Sequence, residues 1–188
     1  MMSNRSRRHT SGYTSGFLAG LALVVLLSPA SGRAAPTAKF DAAVQPLLDE
    51  YLKIQQALAA DSERGVVAAA RAVVKLSEKL DARTVSGPQA ARYREIPGKV
   101  KAAASRVERA KTLADMREGL KELSRPLALW ATLSKPGNVN VLYCSMAKAS
   151  WLQRDAAIRN PYYGAKMSRC GEVVSGPHKG TSGGHMAR

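Results

Sequence analysis

Along the central part of the chain, apolar residues recur at steps of three and four. Over residues 38–60, Phe40, Val44, Leu47, Leu48, Tyr51 and Leu58 fall on one stripe, the period of a helix with a single buried face. Asp61 and Ser62 then offer short side-chain oxygens suited to capping a second helix. The stripe of that helix is Val66, Val67, Ala70, Val73, Val74, Ser77 and Leu80. Residues 84–88 read as a connection, with Pro88 fitted to a first helical position. A third segment is expected to break or kink at Ile96-Pro97-Gly98 and to resume through Val100, Ala103, Ala104, Val107 and Ala110. Thr112 and Asp115 resemble a capping box. Behind it come Met116, Leu120, Leu123, Leu127, Trp130 and Leu133, in a helix that Pro126 is expected to bend. Met116 and Trp130 read as core. Four one-sided helices need mutual burial, so the pattern predicts a mainly α fold, an up-and-down helical bundle.

After Pro136-Gly137 the pattern changes. Val139, Val141 and Tyr143 alternate with Asn138, Asn140 and Leu142, the period of a short strand, and Glu172, Val173 and Val174 could be its partner. Such a two-stranded β-ribbon would bring Cys144 and Cys170 together at adjacent strand ends and put residues 145–169 into one loop. The expected organisation is one helical domain over residues 38–174, ending in a small Cys/Met-containing module at about 138–174. Residues 175–188, rich in Gly, Ser and Lys, are expected to be a flexible tail.

The start of the chain has a different texture. Arg5, Arg7 and Arg8 precede an apolar run over residues 17–27, then Ser28-Pro29 and a small-residue stretch. Basic, apolar and small in that order is the anatomy of a secretory signal peptide, here residues 1–34, with cleavage expected after Ala34. The alternative, an uncleaved anchor, needs an apolar run of roughly 20 residues, and this run is shorter. Arg7-Arg8 hints at twin-arginine export, but the residues after the pair fit that signal poorly. No Cys lies near the cleavage region, which argues against a lipoprotein. The expected location is periplasmic or secreted.

Export changes how the charge is read. The chain carries +15, and residues 1–34 hold four arginines and no acid, so the remainder carries +11. Acids are interspersed among the bases, as in Arg106, Glu108, Arg109, Lys111 and Glu122, the texture of solvated helix faces. With 5% aromatic residues there is little to stack on bases, and nucleic acid is not an expected partner. Contact with an anionic membrane surface stays open, and the sequence does not give the oligomeric state. Histidines number three, His9, His178 and His185, none inside the expected fold. No Ser-His-Asp, Cys-His or histidine zinc site can be assembled from them, and Gly-rich residues 180–184 have no following helix to cradle phosphate. An enzyme is not expected. His178, His185 and Met186 lack the regular spacing of a metal site.

The remaining chemistry is sulfur. Cys144 and Cys170 are the only cysteines, and Met146 and Met167 stand beside them in mirrored order, Cys-x-Met and Met-x-x-Cys. Soft thiolates and thioethers favour Cu(I) or Ag(I) over hard cations. An even pair of cysteines in an exported chain also points to a disulfide, worth ~3 kcal/mol for a loop of this size, with Met146 and Met167 as core residues beside it. Both readings stand, and the two states can alternate, since thiols free to bind Cu(I) are free to oxidise.

The block from Ile158 through Asn160-Pro161-Tyr162-Tyr163-Gly164 to Met167 and Cys170-Gly171-Glu172 is specific, as are Cys144, Met146, Ala147, Trp151 and Leu152 before it. With these residues the chain resembles a bacterial periplasmic domain family of unknown function, found alone or at the C-terminus of Cus-type copper/silver efflux adaptor proteins. Two departures stand out: Ser145 replaces the family's usual Pro, and Lys148-Ala149-Ser150 is shorter than its Gly-containing loop. The resemblance implies a metal-handling context with copper(I) as the expected ion and metal efflux components as possible partners. On this reading Cys144, Met146, Met167 and Cys170 form the metal site of a chaperone or buffer. The alternative is a metal-free, disulfide-braced interaction module of the cell envelope. Trp151, Tyr162 and Tyr163 are then packing residues, and Asn160-Pro161 sets a turn.

Overall fold

Each stripe of apolar residues becomes a helix in the computed structural model, which describes residues 37–179. The expected signal segment, and His185 and Met186 in the tail, lie outside the described residues. The helices are α1 (Ala38–Ala59), α2 (Val66–Ser77), α3 (Ala90–Arg109) and α4 (Leu113–Ser134). Consecutive helices pack on one another, burying Phe40, Leu47, Leu48, Val73, Ile96, Val100, Leu120, Leu123 and their stripe-mates in one core. Met116 and Trp130 belong to it, as expected. Where α3 and α4 approach most closely, Gly119 takes the place of a side chain: a Cβ there would lie 2.7 Å from Val107 Cγ2.

Three local expectations need correction. The chain does not break at Ile96-Pro97-Gly98: α3 is one continuous helix through Pro97, as α4 is through Pro126. A proline deletes one backbone hydrogen bond. On either side of Pro97, though, Ile96 and Val100 stay on the buried stripe, and their packing outweighs that local loss. Asp61 does not cap α2. The N-cap is Gly65, in the left-handed region at φ 77°, and the Asp61 carboxylate is engaged elsewhere. The third expectation concerns α3, whose start falls two residues later than Pro88. At α4, by contrast, Thr112 Oγ1 accepts from Asp115 N at 3.1 Å and donates to its carboxylate at 2.8 Å, as a capping motif should.

The C-terminal module is a three-stranded antiparallel sheet of order β2–β1–β3, built from β1 (Asn140–Cys144), β2 (Ala149–Gln153) and β3 (Glu172–Ser175). The expected pairing of β1 with β3 holds, with Tyr143 opposite Glu172 and Leu142 opposite Val173. The ribbon gains a third strand because residues 145–148 turn the chain back at once, with Lys148 at φ 49°. β2 packs against α1 and α4. Tyr51 of α1 fixes that contact: its hydroxyl hydrogen-bonds Ser124 Oγ of α4 at 2.7 Å and accepts from Leu152 N at 3.1 Å. Burial pushes the Tyr51 hydroxyl up to about 12 even though both bonds act against the shift.

A second polar tie joins α1, α3 and α4. Asp41 accepts from Trp130 Nε1 at 2.7 Å and from Ser134 Oγ at 2.6 Å, while Ser134 also bonds the Tyr93 hydroxyl. Among the described residues no buried side-chain nitrogen or oxygen lacks a partner, as a well-formed interior requires. No helix among them is long and apolar enough to cross a membrane.

Candidate functional site

The antiparallel register of β1 and β3 brings the two cysteines together. Cys144 ends β1 and Cys170 lies two residues before β3, so pairing places both at the same end of the sheet, with Sγ···Sγ at 2.8 Å. Both are free thiols. The sequence expectation of proximity is met, and residues 145–169 are not one loop, because they contain β2 and the 3₁₀ turn Gly164–Met167.

The two sulfurs differ in surroundings. Cys144 is completely covered, whereas Cys170 is only partly buried. Ser145, Met146 and Lys148 of the adjoining turn are exposed. Burial pushes the Cys144 thiol up, but donation from Cys170, from the backbone N–H groups of Ala147 and Met146, and from Asn160 outweighs it. Cys144 is therefore held below the usual thiol range. Cys170 is raised, first through its hydrogen bond to Cys144 and then by burial and the neighbouring charge. Of the two, Cys144 has the better stabilised thiolate.

Asn160 organises the approach to Cys170. It is fully buried, its Oδ1 accepts from Tyr162 N at 2.8 Å to form the expected turn, and its Nδ2 donates to the Cys170 carbonyl at 2.6 Å. Gly171 must be glycine. Its φ is 149°, and a Cβ there would stand 2.4 Å from Cη2 of the buried Trp151 ring. Trp151 in turn meets Tyr162 edge-to-face at 6.0 Å and donates to Gln153 Oε1. Trp151 and Tyr162 are packing residues, as expected. Tyr163 is half-buried and donates to the Met146 carbonyl at 3.2 Å.

The methionines depart from one expectation. As core residues beside a bridge, Met146 and Met167 would be buried; they are instead 63% and 36% exposed. Met146 stands on the turn two residues after Cys144, and Met167 ends the 3₁₀ turn three residues before Cys170. A shallow groove runs between α4 and the turn at Ala147, lined by Leu113, Lys121, Ala147, Tyr162 and Tyr163 and by neither methionine.

Sequence reasoning missed three residues that hold this module in place. Gln153 is buried and donates to the carbonyls of Asp155 and Ala157. Arg117 of α4 donates to the carbonyls of Leu58 and Pro161 and to the Asp61 carboxylate. Asp61 in turn accepts from Ala165 N. The only prior signal at Asp61 was its polarity after a helix, which read as a cap. Of the expected tail, residues 180–188 lie outside the described residues; before them Ser175 is paired in β3, and His178 N donates to Asn140 Oδ1 at 2.9 Å. The backbone of His178 is thus tied to the start of β1.

As donors, two thiols and two thioethers suit a soft monovalent ion. Among the described residues no group of three or more His, Cys, Asp and Glu could hold a metal ion, so any ligand beyond the two thiols would have to be a methionine or come from outside the group. With metal–sulfur bonds of roughly 2.3 Å, two sulfurs on one ion stand about 3.8 Å apart or more. The thiols would therefore have to part by about 1 Å to admit an ion. Residues 165–169, which lead to Cys170, are all exposed, while hydrogen bonds tie Ala165 to Asp61, Ser168 to Asn160 and Cys170 to both Met167 and Asn160.

Residues 47–138 match a protein family described as "Protein of unknown function (DUF3347)". The match covers most of the helical bundle and stops just short of β1, so all four sulfur residues lie beyond it. Neither the curated proteins nor the solved structures yield a match to the chain.

Proposed function

We propose that the protein binds a soft monovalent metal ion, copper(I) or silver(I), in the cell envelope, as a chaperone or buffer in metal homeostasis or efflux. The observation that supports this is the exposure of Met146 and Met167, two and three residues along the chain from a pair of touching thiols. Large apolar side chains gain nothing by standing in water next to a packed core, whereas a thioether at the surface is available to a soft ion. Cys144 and Cys170 supply the thiolates, of which that of Cys144 is the better stabilised. The envelope location rests on the signal-like residues 1–34, and partnership with efflux components on the resemblance of the sulfur module.

An anaerobic copper(I) competition titration of the reduced protein tests the reading, beside a Met146→Ala/Met167→Ala double variant. Tight one-to-one binding that weakens at least tenfold in the variant is expected. Binding indifferent to both methionines would end the proposal. It would favour the second reading, a disulfide-braced interaction module, which the Sγ···Sγ contact of Cys144 and Cys170 supports.

A further inference from the structure

We infer that the oxidised Cys144–Cys170 pair has a direction: an external thiolate opens it at the Cys170 sulfur, and Cys144 departs as the leaving thiolate. The inference requires no metal and stands apart from the metal-binding proposal. It rests on the unequal placement of the two sulfurs around their contact.

Thiol–disulfide exchange needs in-line access to the attacked sulfur and a leaving group whose negative charge is stabilised. Cys144 is 0% exposed, at the end of β1 where the chain enters the turn at residues 145–148. Cys170 is partly open and follows five exposed residues, 165–169. The side chains of Lys166 and Arg169 in that stretch make no hydrogen bond or ion pair among the described residues. They bias the local field toward an approaching anion, with Asp61, on which Lys166 acts, and the exposed Glu172 as the opposing charges. On the departing side, Ala147 N already donates to Cys144 Sγ at 3.5 Å, a backbone donor fixed by the turn. Attack and departure are thus assigned to different sulfurs by the fold.

The chemistry balances with a dithiol reductant, either a protein dithiol or two molecules of a small thiol such as glutathione. The first thiolate forms a bond to Cys170 Sγ as the Cys170–Cys144 bond breaks, and the electron pair leaves on Cys144 Sγ. A second thiolate of the reductant then attacks the reductant sulfur of the mixed disulfide and releases Cys170, which takes up a proton. Two thiols are oxidised to one disulfide and one disulfide is reduced to two thiols. Run backward with a disulfide-bearing donor, the mixed disulfide forms on Cys170 and the Cys144 thiolate closes the bridge. Cys170 is accordingly the site at which the protein is S-thiolated.

The test uses the full chain, oxidised with diamide, exposed briefly to excess glutathione, quenched in acid and mapped by peptide mass spectrometry. Glutathione is expected on the Cys170 peptide at least tenfold over the Cys144 peptide. The same reaction in urea should divide the adduct nearly evenly, because the fold supplies the direction. An even division in the native protein, a preference for Cys144, or a Cys170 preference that survives unfolding would each overturn the inference. So would failure of the native protein to form a Cys144–Cys170 disulfide.

Discussion

Arg117 and Asp61 form an ion pair that fastens the α1–α2 connection to α4, and the same guanidinium reaches Pro161 of the sulfur module. The Arg117 side chain is 17% exposed, and it satisfies the Leu58 and Pro161 carbonyls at 3.0 and 2.9 Å. Arg117→Met keeps the aliphatic stem and leaves both carbonyls without that donor. Urea denaturation should register a loss of about 2 kcal/mol. A change below about 0.5 kcal/mol would mean that water replaces the guanidinium at no cost.

The Asp61 carboxyl is held below the usual carboxylate range, first by the Ala165 N–H and then by the Arg117 hydrogen bond. A depressed folded-state value gives stability that is complete above the unfolded value, about 3.9, and is lost as pH falls through the folded one. Asp61→Asn should therefore flatten the acid side of the stability–pH curve below about pH 4. An unchanged acid limb, measured by urea unfolding at a series of pH values, would rule this carboxyl out as a contributor.

Tyr51 predicts the opposite limb. Its hydroxyl stays neutral in the fold until about 12, against about 10 in an unfolded chain. A raised value contributes stability that is intact below pH 10 and lost as pH rises toward 12. Tyr51→Phe should weaken the fold by about 1–2 kcal/mol at neutral pH, since Leu152 N and Ser124 lose a partner. It should also remove part of the alkaline decline, as followed by circular dichroism.

Gly171→Ala forces a Cβ against the Trp151 ring at a backbone angle that side chains rarely adopt. A destabilisation of about 2 kcal/mol or more is expected from overpacking and strain together. Trp151 fluorescence should report it directly. Wild-type stability and emission in the variant would show that the Cys170–Gly171 segment shifts freely.

Met146→Leu separates packing from ligation. At 63% exposure the side chain contributes little to the core, so stability should stay within about 0.5 kcal/mol of wild type. Copper(I) affinity should nevertheless fall, since leucine keeps the bulk and loses the sulfur. A variant that unfolds early with unchanged affinity would assign Met146 to structure.

What was legible in the sequence follows a physical division. The four stripes could be read because each helix buries one face, and Cys144 and Cys170 could be paired because β1 and the Glu172–Val174 run announce a ribbon. β2 could not be read: Trp151, Leu152 and Gln153 are all buried, so the two-residue alternation of a half-exposed strand is missing. Asp61 was misread because a carboxylate after a helix looks the same whether it caps the next helix or bonds an arginine many residues away. Exposure of Met146 and Met167 was equally hidden, since composition does not say on which side of a turn a side chain stands.

β3 runs antiparallel to β1, so the chain enters it beside the thiols and leaves it near Val139 and Asn140, where Gly176 is seated. Four residues at about 3.3 Å each carry the exit point ~13 Å from the sulfurs. The last described residues, 176–179, thus stand toward the opposite rim of the sheet. A bulky label carried on the exposed Lys179 would sit away from the sulfurs and leave their face unobstructed.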